Sequence, residues 1–336
     1  MTATAFDVLT IGNAIVDILA RTDDAFLVAE KVSKGMMRLV DAEQSAALYE
    51  RIGPAIEASG GSAANTAAGV GSFGLKAAYI GKVADDDFGR IYRHDIRAQG
   101  VHYDTAPLAG GASTARSIIL ITPDGERTMN TFLGACLDLA PRDIDAGIVA
   151  SSAFTYVEGY LWDPPLAKDA CRLAFEIAHA NDRVTAITLS DSFCVDRYRG
   201  EFLDLMRSGT VDVVFANEAE LKALYETSDR GTALEALRAD CRIGAVTLGA
   251  EGAVAVRGAE TASAEAFPLV ALDDLTGAGD QFAAGFLTGL RRELPLGTCA
   301  RLGCLAAAEV IDHVGPRPAK SLENLAIGHG LLRAPA

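Results

Sequence analysis

Apolar positions fall into two rhythms along the chain, and the change between them divides it. From residue 153 onward, short apolar runs alternate with longer stretches of helical character. Ala153 to Val157, Val184 to Leu189 and Val211 to Phe215 read as strands, Leu166 to Ala180 and Val195 to Met206 as the helices between them, with further helices from Glu218. That alternation predicts a doubly wound, mostly parallel central sheet flanked by helices, an α/β fold. The first 150 residues are less regular. Phe6 to Gly12 is a buried first strand, and residues 14 to about 40 carry no sustained helical period, so they suit an extended excursion from the core. Asp41 caps a helix through Ile52, small residues after Gly60-Gly61 form another, Leu75 to Val83 is a strand and Asp87 to Gln99 an amphipathic helix. Ser113 to Leu120 and Glu126 to Phe132 form a hairpin about Pro123-Asp124-Gly125, far from any helix. Together with the excursion it predicts a small β-sheet lid from about 14–40 and 106–133, inserted in a single domain spanning 1–336. Near the end, Leu296 to Ile311 is a small-residue helix and Leu322 to Leu332 a covering one.

Composition narrows the function. The 30 Lys and Arg against 45 Asp and Glu give a formal net charge of −15, which argues against nucleic acid or an anionic membrane surface as partner. A polyanionic substrate must then be met locally, by backbone donors, a metal and a few arginines. The six cysteines (136, 171, 194, 241, 299 and 304) form no Cys-x-x-Cys pair and no cluster with the five histidines, as expected of buried thiols in a reducing cytoplasm. No stretch reads as a signal peptide or a membrane span.

The chemistry concentrates in Asp274-Leu275-Thr276-Gly277-Ala278-Gly279-Asp280, which runs straight into the apolar helix Gln281 to Leu290. Two glycines around an alanine let successive N–H groups face one concavity, and a helix start adds unpaired donors and its positive dipole end. That is a seat for an anion. Asp280 beside it makes sense as the acceptor of a proton from a hydroxyl attacking a bound phosphoryl group, although Gly-x-Gly turns and first-turn aspartates are also ordinary helix starts. Gly60-Gly61-Ser62-Ala63-Ala64-Asn65 allows a ring-shaped ligand to approach closely, with the Asn65 amide one turn in; tight helix packing explains it equally well. Gly12-Asn13 and Asp17 lie just past the first strand, where open α/β sheets bind ligands. Gly69-Val70-Gly71-Ser72-Phe73-Gly74 spells a dinucleotide fingerprint, but it ends a helix and precedes a strand, the reverse of the required order. A Walker A loop is absent.

Taken in order, these strings resemble the PfkB, or ribokinase-like, carbohydrate and nucleoside kinases. Thr276-Gly277-Ala278-Gly279-Asp280 is similar to their C-terminal signature, and Gly60-Gly61 through Asn65 with Ile80 to Gly89 to their N-terminal one. The resemblance covers essentially the whole chain. It implies a ribokinase-like fold, ATP and Mg²⁺ as cofactors, and in-line transfer of the γ-phosphoryl group to a hydroxymethyl group. In that scheme Asp280 is the base, the backbone of Gly277, Ala278, Gly279 and Asp280 the anion hole, and Arg127 the charge clamp. Asn13 and Asp17, with Gly61 and Asn65, are implied for the acceptor, Asp17 holding two sugar hydroxyls as in the adenosine-kinase branch. Asn217-x-x-Glu220 resembles the motif that organises hydrated Mg²⁺ and phosphates; capping by Asn217 leaves the second acid without a structural reason. Thr247, Gly249 and Gly252 resemble the contact to the ATP ribose and α-phosphate, and Asp274 matches an acid near which some members hold K⁺. Tyr160, Trp162 and Phe193, past strand ends, suit either the core or stacking on a purine. The expected acceptor is adenosine, with a free sugar such as ribose or fructose as the alternative and a non-catalytic ligand-binding protein as the second. Monomer and homodimer are both open.

Overall fold

The computed structural model describes residues 4–270 and 274–334. In chain order the first half runs β1 (Phe6–Ile11), β2 (Ile15–Arg21), α1 (Asp24–Ala29), β3 (Met37–Leu39), α2 (Ala42–Tyr49), β4 (Ala55–Gly60), α3 (Ser62–Ser72), β5 (Ala77–Ile80), α4 (Asp87–Ala98), β6 (His102–Tyr103), β7 (Ala115–Ile121) and β8 (Arg127–Phe132). The second half runs α5 (Ala146–Ala150), β9 (Ser152–Glu158), α6 (Pro165–Ala180), β10 (Val184–Thr188), α7 (Ser192–Arg207), β11 (Val213–Asn217), α8 (Glu218–Leu224), α9 (Arg230–Asp240), β12 (Ile243–Thr247), β13 (Ala253–Arg257), β14 (Glu260–Ala264), α10 (Ala278–Arg291), α11 (Leu296–Ile311) and α12 (Leu322–Gly328).

Among the described residues nine strands form one sheet, ordered β14-β13-β12-β11-β10-β9-β1-β5-β6. Pairing is parallel from β6 to β12 and antiparallel through β13 and β14. Both faces are covered, because adjacent residues of one strand feed different cores. Val8 packs with Tyr79, Phe215 and the residues of α3, α10 and α11, while Leu9 packs with Trp162, Phe175 and the helices of the other face. The helices α10 and α11 approach closely because glycines line their contact: a Cβ on Gly285 would lie 2.4 Å from the Leu302 carbonyl oxygen.

Strand order reverses at β1, whose chain-order successors lie on one side (β5, β6) and β9 to β12 on the other. The crevice beyond the carboxyl ends of β1 and β9 is therefore the switch point at which such sheets bind ligands. Five further strands, β3-β8-β7-β2-β4, make a second sheet. It takes in the expected hairpin and excursion but is larger than expected. β4 pairs antiparallel with β2 from Ile15↔Gly60 to Ala20↔Ala55, and the excursion contains α1, a six-residue helix capped by Asp23 and too short to show a hydrophobic period. The false fingerprint falls where its rejection requires: α3 ends at Ser72, and Gly74, with φ +78, turns the chain toward β5.

Candidate active site

The floor is a set of buried tyrosines that hold loop carbonyls. Tyr79 donates to the Gly12 carbonyl at 2.8 Å, Tyr92 to Gly60 at 3.2 Å and Tyr103 to Gly81 at 2.9 Å, and the three rings pack together. Three turns from β1, β4 and β5 are thereby fixed in one place.

Glu158, the last residue of β9, locks two of these turns. Its carboxylate accepts from the Asn13 N–H (2.8 Å), the Asn13 side-chain Nδ2 (2.7 Å) and the Ala63 N–H (3.0 Å). Burial pushes its pKa up to about 7, against the pull of those donors. Sequence reasoning gave Glu158 no role; the available signal was a lone acid closing the apolar strand Phe154 to Val157. Asn13 consequently spends its Nδ2 on Glu158, and its Oδ1 is buried without a partner. Gly61 adopts φ +97, and a Cβ there would lie 2.1 Å from the Asn13 carbonyl oxygen, so only glycine allows this approach.

Asp17 enters from β2 of the second sheet. It is only 9% exposed, and among the described residues no protein donor reaches its carboxylate. Burial pushes it up to about 7; Asp280 and Asp274 act in the same direction, Arg317 and Arg127 against. Gly60 makes room for it, since a Cβ there would lie 2.2 Å from Asp17 Oδ2.

Asp280 is the third residue of α10, which starts after Gly277 in the left-handed region (φ +82). A Cβ on Gly277 would press within 2.7 Å of the Pro316 backbone, whereas Gly279 is open. The first-turn N–H groups of Gly279 and Asp280 have no intrahelical acceptor, while the Ala278 N–H turns back to the Leu275 carbonyl at 3.3 Å. The Asp280 carboxylate is held from the side by α3: Ser62 Oγ donates to Oδ1 at 2.6 Å and Asn65 Nδ2 to Oδ2 at 3.0 Å. Residues three apart share a helix face, which is why both reach it. Burial raises the Asp280 pKa, with both donors and Arg317 opposing.

Asn65 was expected to face the acceptor. Each end of its amide has a protein partner, since Nδ2 donates to Asp280 and Arg317 Nε donates to Oδ1 at 3.3 Å, which leaves one N–H and one lone pair. Arg127, the first residue of β8, places Nη2 2.8 Å from Asp274 Oδ2, and both side chains are nine-tenths buried or more. No hydrogen bond of good geometry forms there, and the guanidinium nitrogens are otherwise unpartnered. Asp274 also accepts from the Thr276 and Gly315 N–H groups, each at 2.9 Å. A carboxylate neutralised by a guanidinium and two N–H groups does not fit the expected K⁺ neighbour, so no step is assigned to that ion.

Farther along the same edge, Asn217 ends β11 opposite Thr247 at the end of β12. Asn217 caps α8 by accepting from the Glu220 N–H at 2.8 Å, and Glu220 answers by accepting from the Asn217 N–H (3.0 Å) and Nδ2 (2.6 Å). This reciprocal capping box corrects the sequence reading: it gives the second acid a structural reason as well. Burial pushes Glu220 up to about 7. Gly252 needs to be glycine, with φ +99 and a Cβ position 2.1 Å from the Ala264 carbonyl; Gly249 sits at φ +59. The described residues contain no group of three His, Cys, Asp or Glu side chains able to hold a metal.

Of the aromatics, Trp162 is fully buried against Phe202, and Tyr160 directs its hydroxyl to the Ser190 carbonyl at 3.3 Å. Phe193, on the first turn of α7, is 76% exposed. The structure thus makes Trp162 core and leaves Phe193 at the rim. The cavity of about 780 Å³ lined by Arg183, Arg242, Arg257 and Arg291 lies at the opposite, amino-terminal edge of the strands and contains none of these groups.

A buried carboxylate at a helix start with open N–H groups, in one cleft with a second buried carboxylate, is an arrangement suited to phosphoryl transfer to a hydroxyl. The chain belongs to the pfkB family of carbohydrate kinases, whose pattern it matches over residues 37–322, and is an ATP-dependent kinase of the adenosine kinase-like branch. It is 60% identical to an adenosine kinase from Sinorhizobium meliloti, whose crystal structure superposes with a TM-score of 0.90 over 96% of this chain and 99% of that one. A probable sugar kinase from Rhizobium etli is 56% identical, with a TM-score of 0.92 over 98% of this chain and 100% of that one. Adenosine kinase 2 of Arabidopsis thaliana is 26% identical over 91% of this chain and 94% of that protein. No helix among the described residues is long and apolar enough to cross a membrane.

Proposed function

We propose that the chain phosphorylates the hydroxymethyl group of a purine nucleoside, adenosine first. The observation that carries this is Asp280, held by Ser62 and Asn65 at the open start of α10 and sharing its cleft with Asp17. Asp280 takes the proton of the acceptor hydroxyl as that oxygen bonds to the γ-phosphorus of ATP and the bond to the leaving ADP oxygen breaks. The N–H groups of Gly279 and Asp280 and the positive end of α10 face the transferring group. Arg127 keeps Nε and Nη1 free of other partners for a phosphoryl oxygen. Asp17 accepts from ring hydroxyls and sets the acceptor's orientation, with Asn13 Oδ1 as a further acceptor. Asn217, Glu220, Thr247, Gly249 and Gly252 form the nucleotide side. When bound, Mg²⁺ neutralises phosphate charge, and Glu220 orients one of its waters. The second sheet acts as a lid that keeps water from the phosphoryl group. The six thiols, free in the structure, suit a reducing cytoplasm, and either a monomer or a homodimer can carry out this chemistry.

Similarity to adenosine kinases supports the nucleoside; similarity to a probable sugar kinase keeps a free sugar as the second reading. The discriminating experiment measures kcat/KM with ATP for adenosine, inosine, guanosine, ribose and fructose. Adenosine is expected to lead, and a higher value for fructose would remove the nucleoside assignment.

A further inference from the structure

Arg317 lies on the loop between α11 and α12, and that loop is pinned on both sides of it. Asp274 Oδ2 accepts from the Gly315 N–H at 2.9 Å, and Gln281 Nε2 donates to the Pro316 carbonyl at 3.0 Å. Glu309 Oε1 then accepts from the Ala319 and Lys320 N–H groups at 3.1 and 2.9 Å. A side chain on so fixed a backbone is aimed, and this one is aimed inward: only 10% of it is exposed. Its Nε is spent on Asn65 Oδ1. Nη1 forms an ion pair with Asp95 Oδ2 at 3.5 Å, too long for a good hydrogen bond to an oxygen that already accepts from the Ser59 N–H and Oγ. Nη1 and Nη2 are buried without a hydrogen-bond partner. Leaving guanidinium donors buried without hydrogen bonds costs more than an ordinary hydrogen bond returns, so a built site of this kind implies a ligand.

The complementary group is Asp17. It too is buried, carries no protein hydrogen bond among the described residues, and is held in the field of Arg317. The groups that face the pair are Tyr79 from β5, Tyr92 and Asp95 from α4, Asn65 from α3, Asp280 from α10, and Arg127 with Asp274. Arg317 reaches the cleft through Asn65, which holds Asp280, and Asp17 enters it against Gly60; among the described residues no hydrogen bond or ion pair joins the two. A carboxylate that can only accept and a guanidinium that can only donate match one kind of ligand atom. An alcohol oxygen donates its proton to the first and receives an N–H from the second.

We propose that Arg317 is a specificity-determining residue of the acceptor site, its Nη groups donating to the ring-hydroxyl oxygens whose protons go to Asp17. The site therefore takes hydroxyl-rich rings and rejects their deoxy forms by leaving the Arg317 Nη donors and the Asp17 carboxylate without hydrogen bonds. This rests on the reading of Asp17 as the acceptor's hydroxyl-binding residue.

The test crosses protein and ligand. Wild type, Arg317→Gln and Arg317→Lys are assayed at saturating ATP with adenosine, 2′-deoxyadenosine and 3′-deoxyadenosine, with melting temperature and the KM for ATP as controls. Arg317→Gln is expected to lower kcat/KM for adenosine by roughly 10- to 100-fold, and for at least one deoxy analogue by less than about threefold, because that analogue never used the contact. Arg317→Lys, which keeps a charge and fewer directed donors, is expected to fall between and serves alone if the Gln variant does not fold. An equal loss on all three acceptors would overturn the proposal and leave Arg317 as a support for Asn65. If wild type phosphorylates ribose or fructose and not adenosine, the nucleoside reading fails on that row alone. The Arg317 ratio is then read on that sugar and its deoxy form.

Discussion

The two halves of the cleft treat their polar groups in opposite ways. On the nucleotide side Asn217 and Glu220 satisfy each other through a closed capping box, and Gly252 is fixed by backbone packing. On the proposed acceptor side, the Asp17 carboxylate, Asn13 Oδ1 and the Nη nitrogens of Arg317 are buried without a hydrogen bond among the described residues. A self-satisfied edge is stable before any ligand arrives. An unsatisfied pocket is poised, and the acceptor completes it. The difference suggests that acceptor identity is enforced by desolvated charge, while ATP is met by groups already at rest.

Substitutions should separate the halves. Asp280→Asn, at their junction, is expected to reduce kcat by roughly 10²- to 10⁴-fold with both KM values nearly unchanged; a variant keeping more than about a tenth of wild-type turnover would mean that the base lies elsewhere. Arg127→Gln removes a charge facing the transferring group and should cost roughly 10²- to 10³-fold in kcat, where a loss confined to melting temperature would make it only a strut for Asp274.

The pH profile tests the desolvated pocket. In the proposed scheme Asp280 must be ionised to take the proton and Asp17 to accept hydrogen bonds from the ring hydroxyls, and burial lifts both, Asp17 to about 7. The value of kcat/KM for the acceptor should therefore fall as pH drops through neutrality. An ordinary carboxylate limb near pH 4 would contradict the desolvated pocket. Asn217→Ala opens the capping box and should cost about 1 kcal/mol of stability, read as a lower Tm, with the KM for the acceptor unmoved.

Much of this was legible in the sequence. The strand and helix alternation after residue 153 appears because buried strands need continuous apolar runs, and Leu296–Ile311 coincides with α11 for the same reason. The strand β4 was not legible: Ala55–Gly60 is small and mostly exposed at its start, and only pairing with β2 makes it a strand. Asp280 and Asp17, the acids proposed as base and acceptor ligand, stood out because a glycine turn and a strand end marked them. Glu158, Ser62 and Arg317 did not, because their meaning lies in contacts with Ala63, Asp280 and Asn65, which are 95, 218 and 252 residues away in sequence. The contacts of Asn65 to Asp280 and Arg317 were not legible either, because a side-chain amide fits a sugar and a carboxylate equally well.

The contrast between the halves has one direct measurement: both KM values for Asp17→Asn, with adenosine and ATP varied in turn. The account predicts a rise in the KM for the acceptor of roughly 10- to 100-fold with the KM for ATP within about twofold of wild type. Equal rises for the two substrates, or an unchanged KM for the acceptor, would contradict it.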